Sequence, residues 1–242
     1  MRKIRNVLRK IYAPILLRIQ YDTQVKGYGN KYGGYCIATD RLKDRDAGSI
    51  VVYSFGIGED LSFSEELLND DGFGDRIEIY AFDPTPRSAK YVGQHRLSSD
   101  KRFHFSRIGI ADHNGEGKLF LPKNPEFVSG ALERHEDLSA SEVAEVELRT
   151  IGDIAKDQGH DEIDILKLDV EGTEFSVMHD VLESGISIGQ ICVEIHDRMY
   201  PDGFFRLKHM LEDMYSHEYR IVHVSGSHEE LTFIRVHRST PQ

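Results

Sequence analysis

Ile163-Asp164-Ile165-Leu166-Lys167-Leu168-Asp169-Val170-Glu171-Gly172-Thr173-Glu174 is the stretch whose reading decides the fold. It opens as a short apolar run dense in Ile and Leu, as expected of a strand buried on both faces of a parallel sheet. Asp169, Glu171 and Glu174 follow at the strand's carboxyl end, with Gly172 between them. Val177, Met178, Val181 and Leu182 then recur at helical spacing, so an amphipathic helix comes next. In open α/β sheets, ligands bind at turns of this kind, where a strand gives way to a helix. Three carboxylates at one turn therefore point to a cofactor and substrate pocket.

The same alternation extends in both directions. Upstream, buried-strand runs appear at Ser49–Tyr53, Ile77–Phe82 and Phe103–Ile108, separated by helical stretches near 62–69 and 87–97. A turn at 112–117 precedes a short strand at 118–121, residues 122–144 read as irregular and polar, and Thr150 caps a helix reaching about Asp157. Downstream come a buried strand at Gln190–His196, a helix at 203–215, and two alternating strands at 219–224 and 231–236 that predict an antiparallel hairpin at the sheet edge. Strand alternating with helix and ending in a hairpin predicts one doubly wound α/β domain over residues 49–242. Residues 1–48 precede it as a basic helix and a Gly- and Tyr-rich loop at 27–35, the latter either a surface turn or a lid.

Bulk properties narrow the function. A composition 39% hydrophobic and 29% charged is that of a soluble globular protein. The net charge of −11 argues against a nucleic-acid binder. That charge is uneven: the first twenty residues hold six bases and no acid, leaving 24 bases against 41 acids elsewhere. Residues 2–19 read as an amphipathic helix with Ile4, Val7, Leu8, Ile11 and Ile15 on one face, expected to pack on its own domain or a partner subunit; a membrane-surface helix and a disordered tail are the alternatives. Two cysteines make neither a metal cluster nor a disulfide framework and fit a reducing cytoplasmic setting. No apolar run approaches a membrane span, and the basic N-terminus lacks the features of a signal peptide.

Candidate site residues sit at the strand ends. Ser54-Phe55-Gly56-Ile57-Gly58 follows the first core strand, where glycines let a ligand approach the backbone. A dinucleotide fingerprint would need glycine at position 61, which is Leu61, so a nicotinamide oxidoreductase is disfavoured. Asp83, before Pro84, ends the second strand, where a carboxylate can take both ribose hydroxyls of a nucleoside. A base could lie against Ile108 or Ile110 after the third strand. Glu194 and His196 close the fifth on one side of it, and a histidine there is a candidate general base.

Leu166-Lys167-Leu168-Asp169-Val170-Glu171-Gly172-Thr173-Glu174 resembles the L-K-x-D-V-E-G-x-E motif of FkbM-type methyltransferases. Tyr53–Gly58, with Ser62-Phe63 and Ala81-Phe82-Asp83-Pro84, is similar to a related methyltransferase-like branch. The resemblance covers roughly residues 50–196. It implies the class I, S-adenosylmethionine-dependent fold: a Rossmann-like, mostly parallel seven-stranded sheet with an antiparallel C-terminal strand. It further implies an O-methyltransferase acting on a sugar, glycan or other polyol. Ser54, Phe55, Gly56 and Gly58 would then back the methionine end of the cofactor, Asp83 and Pro84 the ribose, and Ile108 and Gly109 the adenine. Asp169 would face the reacting end, with His196 as first choice of base and Asp169 and Glu194 beside it. The acid usual before the glycine loop is Ser54 here, so Glu59, Asp60 or Asp169 would hold the cofactor's amino group. Asp169, Glu194 and His196 could alternatively hold a divalent metal such as magnesium, which the sequence does not assign. A non-catalytic module that binds cofactor or a partner is the other reading consistent with Ser54.

Overall fold

A computed structural model describes residues 2–43, 48–122 and 138–236. The strands in chain order are β1 (Val25–Tyr28), β2 (Tyr35–Ala38), β3 (Ile50–Phe55), β4 (Ile77–Phe82), β5 (Phe103–Ser106), β6 (Gly109–Ile110), β7 (Gly115–Pro122), β8 (Leu138–Arg149), β9 (Glu162–Leu168), β10 (Ser187–Glu194), β11 (Tyr219–Val224) and β12 (Glu230–Arg235). The helices are α1 (Arg2–Leu16), α2 (Asp40–Lys43), α3 (Ser62–Leu68), α4 (Pro86–Gln94), α5 (Ile151–Gln158), α6 (Glu174–Glu183) and α7 (Gly203–Ser216).

Seven strands form the main sheet in the order β11-β12-β10-β9-β3-β4-β5. The run from β10 to β5 is parallel, and β12 is antiparallel to both β10 and β11. The C-terminal hairpin thus folds inward: β12 lies between β10 and β11, and β11 takes the edge. Every residue of β3 and six of seven in β9 are buried, which is why these strands read as unbroken apolar runs.

Alternation along the strands divides the core in two. Tyr53, Phe55, Leu166, Leu168, Ile191 and Val193 face a layer built from α1, α5, α6 and α7. Ile50, Val52, Ile165 and Cys192 face α3, α4 and the β1–β2 hairpin. Helices on both faces leave the carboxyl ends of the parallel strands as the open edge, where a doubly wound sheet places its ligand.

Two segments differ from the sequence reading. Residues 112–121 were expected to be a turn and a short strand, yet β7 begins at Gly115 and pairs along the twelve-residue β8, with β6 on its far side. A side chain at Gly117 would lie 2.4 Å from Cδ1 of Leu148, so this glycine permits strand packing rather than marking a turn. The irregular reading of 122–144 fails for Pro122, which ends β7, and for 138–144, which belong to β8; the rest lies outside the described residues.

The second difference is α1. Its expected apolar face does not pack on the domain: Val7, Leu8, Ile11 and Ile15 are all more than half exposed. The helix docks through Ala13 and Leu17, with Tyr12 and Leu16 partly buried. Arg9 sits inside that contact, its Nε 2.6 Å from Oδ1 of Asp197 and its guanidinium donating to the carbonyls of Ser227 and His228. Tyr12 donates to the other Asp197 oxygen at 2.5 Å. A buried Arg–Asp pair, with further bonds from Arg9 to two main-chain carbonyls, therefore fixes which side of the helix faces in, and the hydrophobic pattern alone could not reveal it. Among the described residues, no helix is long and apolar enough to cross a membrane.

Candidate active site

The ends of β3, β4, β9 and β10 surround a cavity of about 680 Å³, within the range of small-molecule sites. Ser54, Phe55, Gly56, Gly58, Asp83, Pro84, Ile108, Gly109, Asp169 and Glu194 all line it. His196 does not.

Each wall has a local cause. Gly56, at φ +71°, turns the chain out of β3 so tightly that a Cβ would stand 1.6 Å from the Asp169 carbonyl oxygen. Only glycine fits between the two strand ends. The amide of Gly58 donates to Oδ2 of Asp83 at 2.9 Å, tying the glycine loop to β4. The other Asp83 oxygen accepts from the Thr85 amide, the Thr85 hydroxyl and the Ser88 hydroxyl. Asp83 is thus 5% exposed and bonded largely into its own domain. The two-oxygen ribose grip expected from sequence does not match this bonding, because only Oδ2 retains capacity toward the cavity.

Asp169 and Glu171 project from the turn after β9. Glu171 holds φ +49°, a left-handed conformation costly for a residue with a side chain. Gly172 follows at φ +104°, against the Tyr200 hydroxyl, which donates to its carbonyl at 3.0 Å.

Glu174 is more central than a first-turn acid complementing the helix dipole. It is fully buried, accepts from the Gly172 amide at 2.7 Å and from the His196 amide at 2.6 Å, and so clamps the acidic turn to the end of β10. Removing that carboxylate leaves two buried amides unpaired and takes away one of the three acids around His196. Glu174→Ala is expected to lower stability by about 3–5 kcal/mol in urea unfolding. A loss under about 1 kcal/mol would mean that the clamp is dispensable.

His196 is 1% exposed and ringed by acids. Its Nε2 lies 3.4 Å from Oε2 of Glu171 and 3.4 Å from Oε1 of Glu194, and its Nδ1 lies 3.5 Å from Oε1 of Glu174. Burial lowers the pKa of the imidazole, but the three carboxylates outweigh it and hold the pKa well above its ordinary value. The surrounding acids therefore favour the protonated form of the ring. Burial also raises the pKa of Glu194 above its usual range, against the pull of His196.

Lys167 is a site residue that the sequence reading passed over. Its Nζ donates to the Gly56 carbonyl at 2.9 Å, lies 3.7 Å from Oδ2 of Asp169, and is almost wholly buried on the cavity wall. A lysine inside an otherwise apolar strand was the available signal, since a buried ammonium must be paired. Asn30, Tyr32 and Gly33 from the Gly- and Tyr-rich loop also reach the cavity, and Asn30 donates to Asp60 at 2.7 Å.

The strand order and the cavity at the open edge define a Rossmann-like domain of the methyltransferase type. The chain belongs to the FkbM methyltransferase family: the model of the methyltransferase FkbM domain matches residues 51–221. It is 27% identical over 152 residues to "Probable methyltransferase-like protein 24" of Homo sapiens, across 60% of this chain and 32% of that protein. The Rattus norvegicus protein of the same name is 28% identical over 147 residues, with the same coverage. The chain thus spans about a third of the length of these curated relatives. Among solved structures, it is similar to a methyltransferase FkbM from Methylobacillus flagellatus, at 14% identity and a TM-score of 0.49, over 78% of this chain and 44% of that one.

Proposed function

We propose that the chain is an S-adenosylmethionine-dependent O-methyltransferase whose acceptor is a hydroxyl of a sugar, a glycan or another polyol. The observation that carries this reading is the convergence of the glycine loop, Asp83, Asp169 and Glu194 on one cavity. Family membership supports methyl transfer, and the FkbM-type resemblance suggests the acceptor class.

The lining suits a zwitterionic, positively charged nucleoside. Among the described residues, six that line the cavity are acids (Glu59, Asp60, Asp83, Asp169, Glu171 and Glu194), and Lys167 is the single lining Lys or Arg. Apolar surface for a base comes from Phe82, Ile108, Ile110 and Leu119. In this reading Lys167 faces the cofactor's carboxylate, and Asp60 or Asp169 takes its amino group in place of the acid absent at Ser54. Asp83 offers Oδ2 to one ribose hydroxyl.

When bound, S-adenosylmethionine supplies a methyl group already activated on sulfur. The chain's task is to align an acceptor oxygen and accept its proton. His196 is poorly suited to that base role, being buried, ringed by acids that favour its protonated form, and off the cavity wall. Glu194 is on the wall, is more basic than an ordinary carboxylate, and is held in place by His196. We therefore assign the base to Glu194 and a positioning role to His196, with Asp169 orienting the reacting end.

One observation favours a second reading. Single ligand atoms from Asp169, Glu171 and His196 lie within 4.8 Å of one another, close enough to share a divalent cation. That arrangement requires the imidazole to surrender its proton, against the three carboxylates that now stabilise it.

Transfer of labelled methyl from S-adenosylmethionine to a panel of sugars and glycans tests the proposal. It predicts alkali-stable methyl ethers formed at the same rate with EDTA present. EDTA-sensitive turnover restored by magnesium would favour the metal site. Cofactor binding without transfer to any acceptor would favour a non-catalytic module.

A further inference from the structure

We infer that the outward face of α1 docks this protein on an anionic lipid surface. Val7, Leu8, Ile11 and Ile15 on α1, and Ile19 just past its end, are 60%, 52%, 62%, 59% and 60% exposed. They account for five of the eight large hydrophobic residues exposed among those described, so the patch is concentrated rather than scattered. The helix cannot turn to bury them, because Arg9 and Tyr12 lock its opposite side to Asp197.

Charge selects the occupant. Lys10 and Arg18 are exposed beside the aliphatic stripe, and the first acid in the sequence is Asp22. Aliphatic residues flanked by bases on a helix too short to span a bilayer describe an interfacial helix. The rest of the chain is strongly acidic, so attraction to negative headgroups is confined to this segment and fixes one orientation on the surface. A second copy is a poorer occupant, since pairing two such stripes would bring two base-rich, acid-free segments together.

Sedimentation of the full chain with vesicles tests this. Binding is expected to phosphatidylcholine vesicles carrying about 30% phosphatidylserine, roughly tenfold or more weaker on phosphatidylcholine alone and in about 0.5 M salt. Ile11→Ser with Ile15→Ser should cut binding roughly tenfold or more while leaving the melting temperature unchanged. Lys10→Glu should weaken it several-fold on anionic vesicles only. The proposal is overturned by absence of binding at every composition, by binding that the double substitution leaves intact, or by a dimer in solution that the double substitution disperses.

Discussion

Gly56→Ala is expected to destabilise the fold by about 4 kcal/mol or more, with a melting temperature lower by roughly 8–16 °C. The reason is steric and confined to one point. The new Cβ would lie 1.6 Å from the Asp169 carbonyl oxygen, and the obstacle is main chain rather than a side chain that can swing away. Relief would separate the ends of β3 and β9, straining the bonds from the Asp169 amide to the Phe55 carbonyl and from the Gly56 amide to the Phe82 carbonyl. The left-handed φ of +71° adds a further penalty. Gly93→Ala in α4 is the matched control: nothing lies within 4 Å of its Cβ, and stability should rise by about 0.5–1 kcal/mol. A Gly56→Ala protein that melts like the parent would show that the two strand ends are not in this contact.

Glu194→Gln is expected to lower kcat by roughly 10²–10⁴-fold while leaving affinity for S-adenosylhomocysteine nearly unchanged. Glutamine keeps the size and the contact to His196 but cannot take a proton. In the parent, kcat should fall as pH drops through the raised pKa of Glu194, because only the carboxylate accepts the acceptor's proton. Glu194→Gln should flatten that limb. Unchanged kcat would remove Glu194 as the base and leave Asp169 or Glu171 to be considered.

Much of this arrangement was legible in the sequence. The buried strands declared themselves as apolar runs, and the acids and glycines stood at their ends because the open edge of a parallel sheet is where polar residues can face a ligand. What escaped the sequence depends on contacts between distant segments. The aliphatic stripe of α1 reads as a core face, yet it points outward because Arg9 finds Asp197 nearly two hundred residues away. His196 reads as a base from its place just beyond β10, but its protonation is governed by Glu171 and Glu174 arriving from the turn after β9. Asp83 reads as a ribose ligand, while Thr85 and Ser88 draw one of its oxygens inward. Gly115 and Gly117 read as a turn because the local sequence does not show that both pair with β8 or that Leu148 packs against Gly117.

Calorimetric titration of the full chain with S-adenosylhomocysteine tests most directly whether this cavity is a cofactor site. One molecule should bind per chain, and Lys167→Met, which removes the cation proposed to face the cofactor's carboxylate, should weaken binding roughly tenfold or more. Absence of binding by a folded parent protein, or binding that Lys167→Met and Asp169→Asn leave untouched, would contradict it.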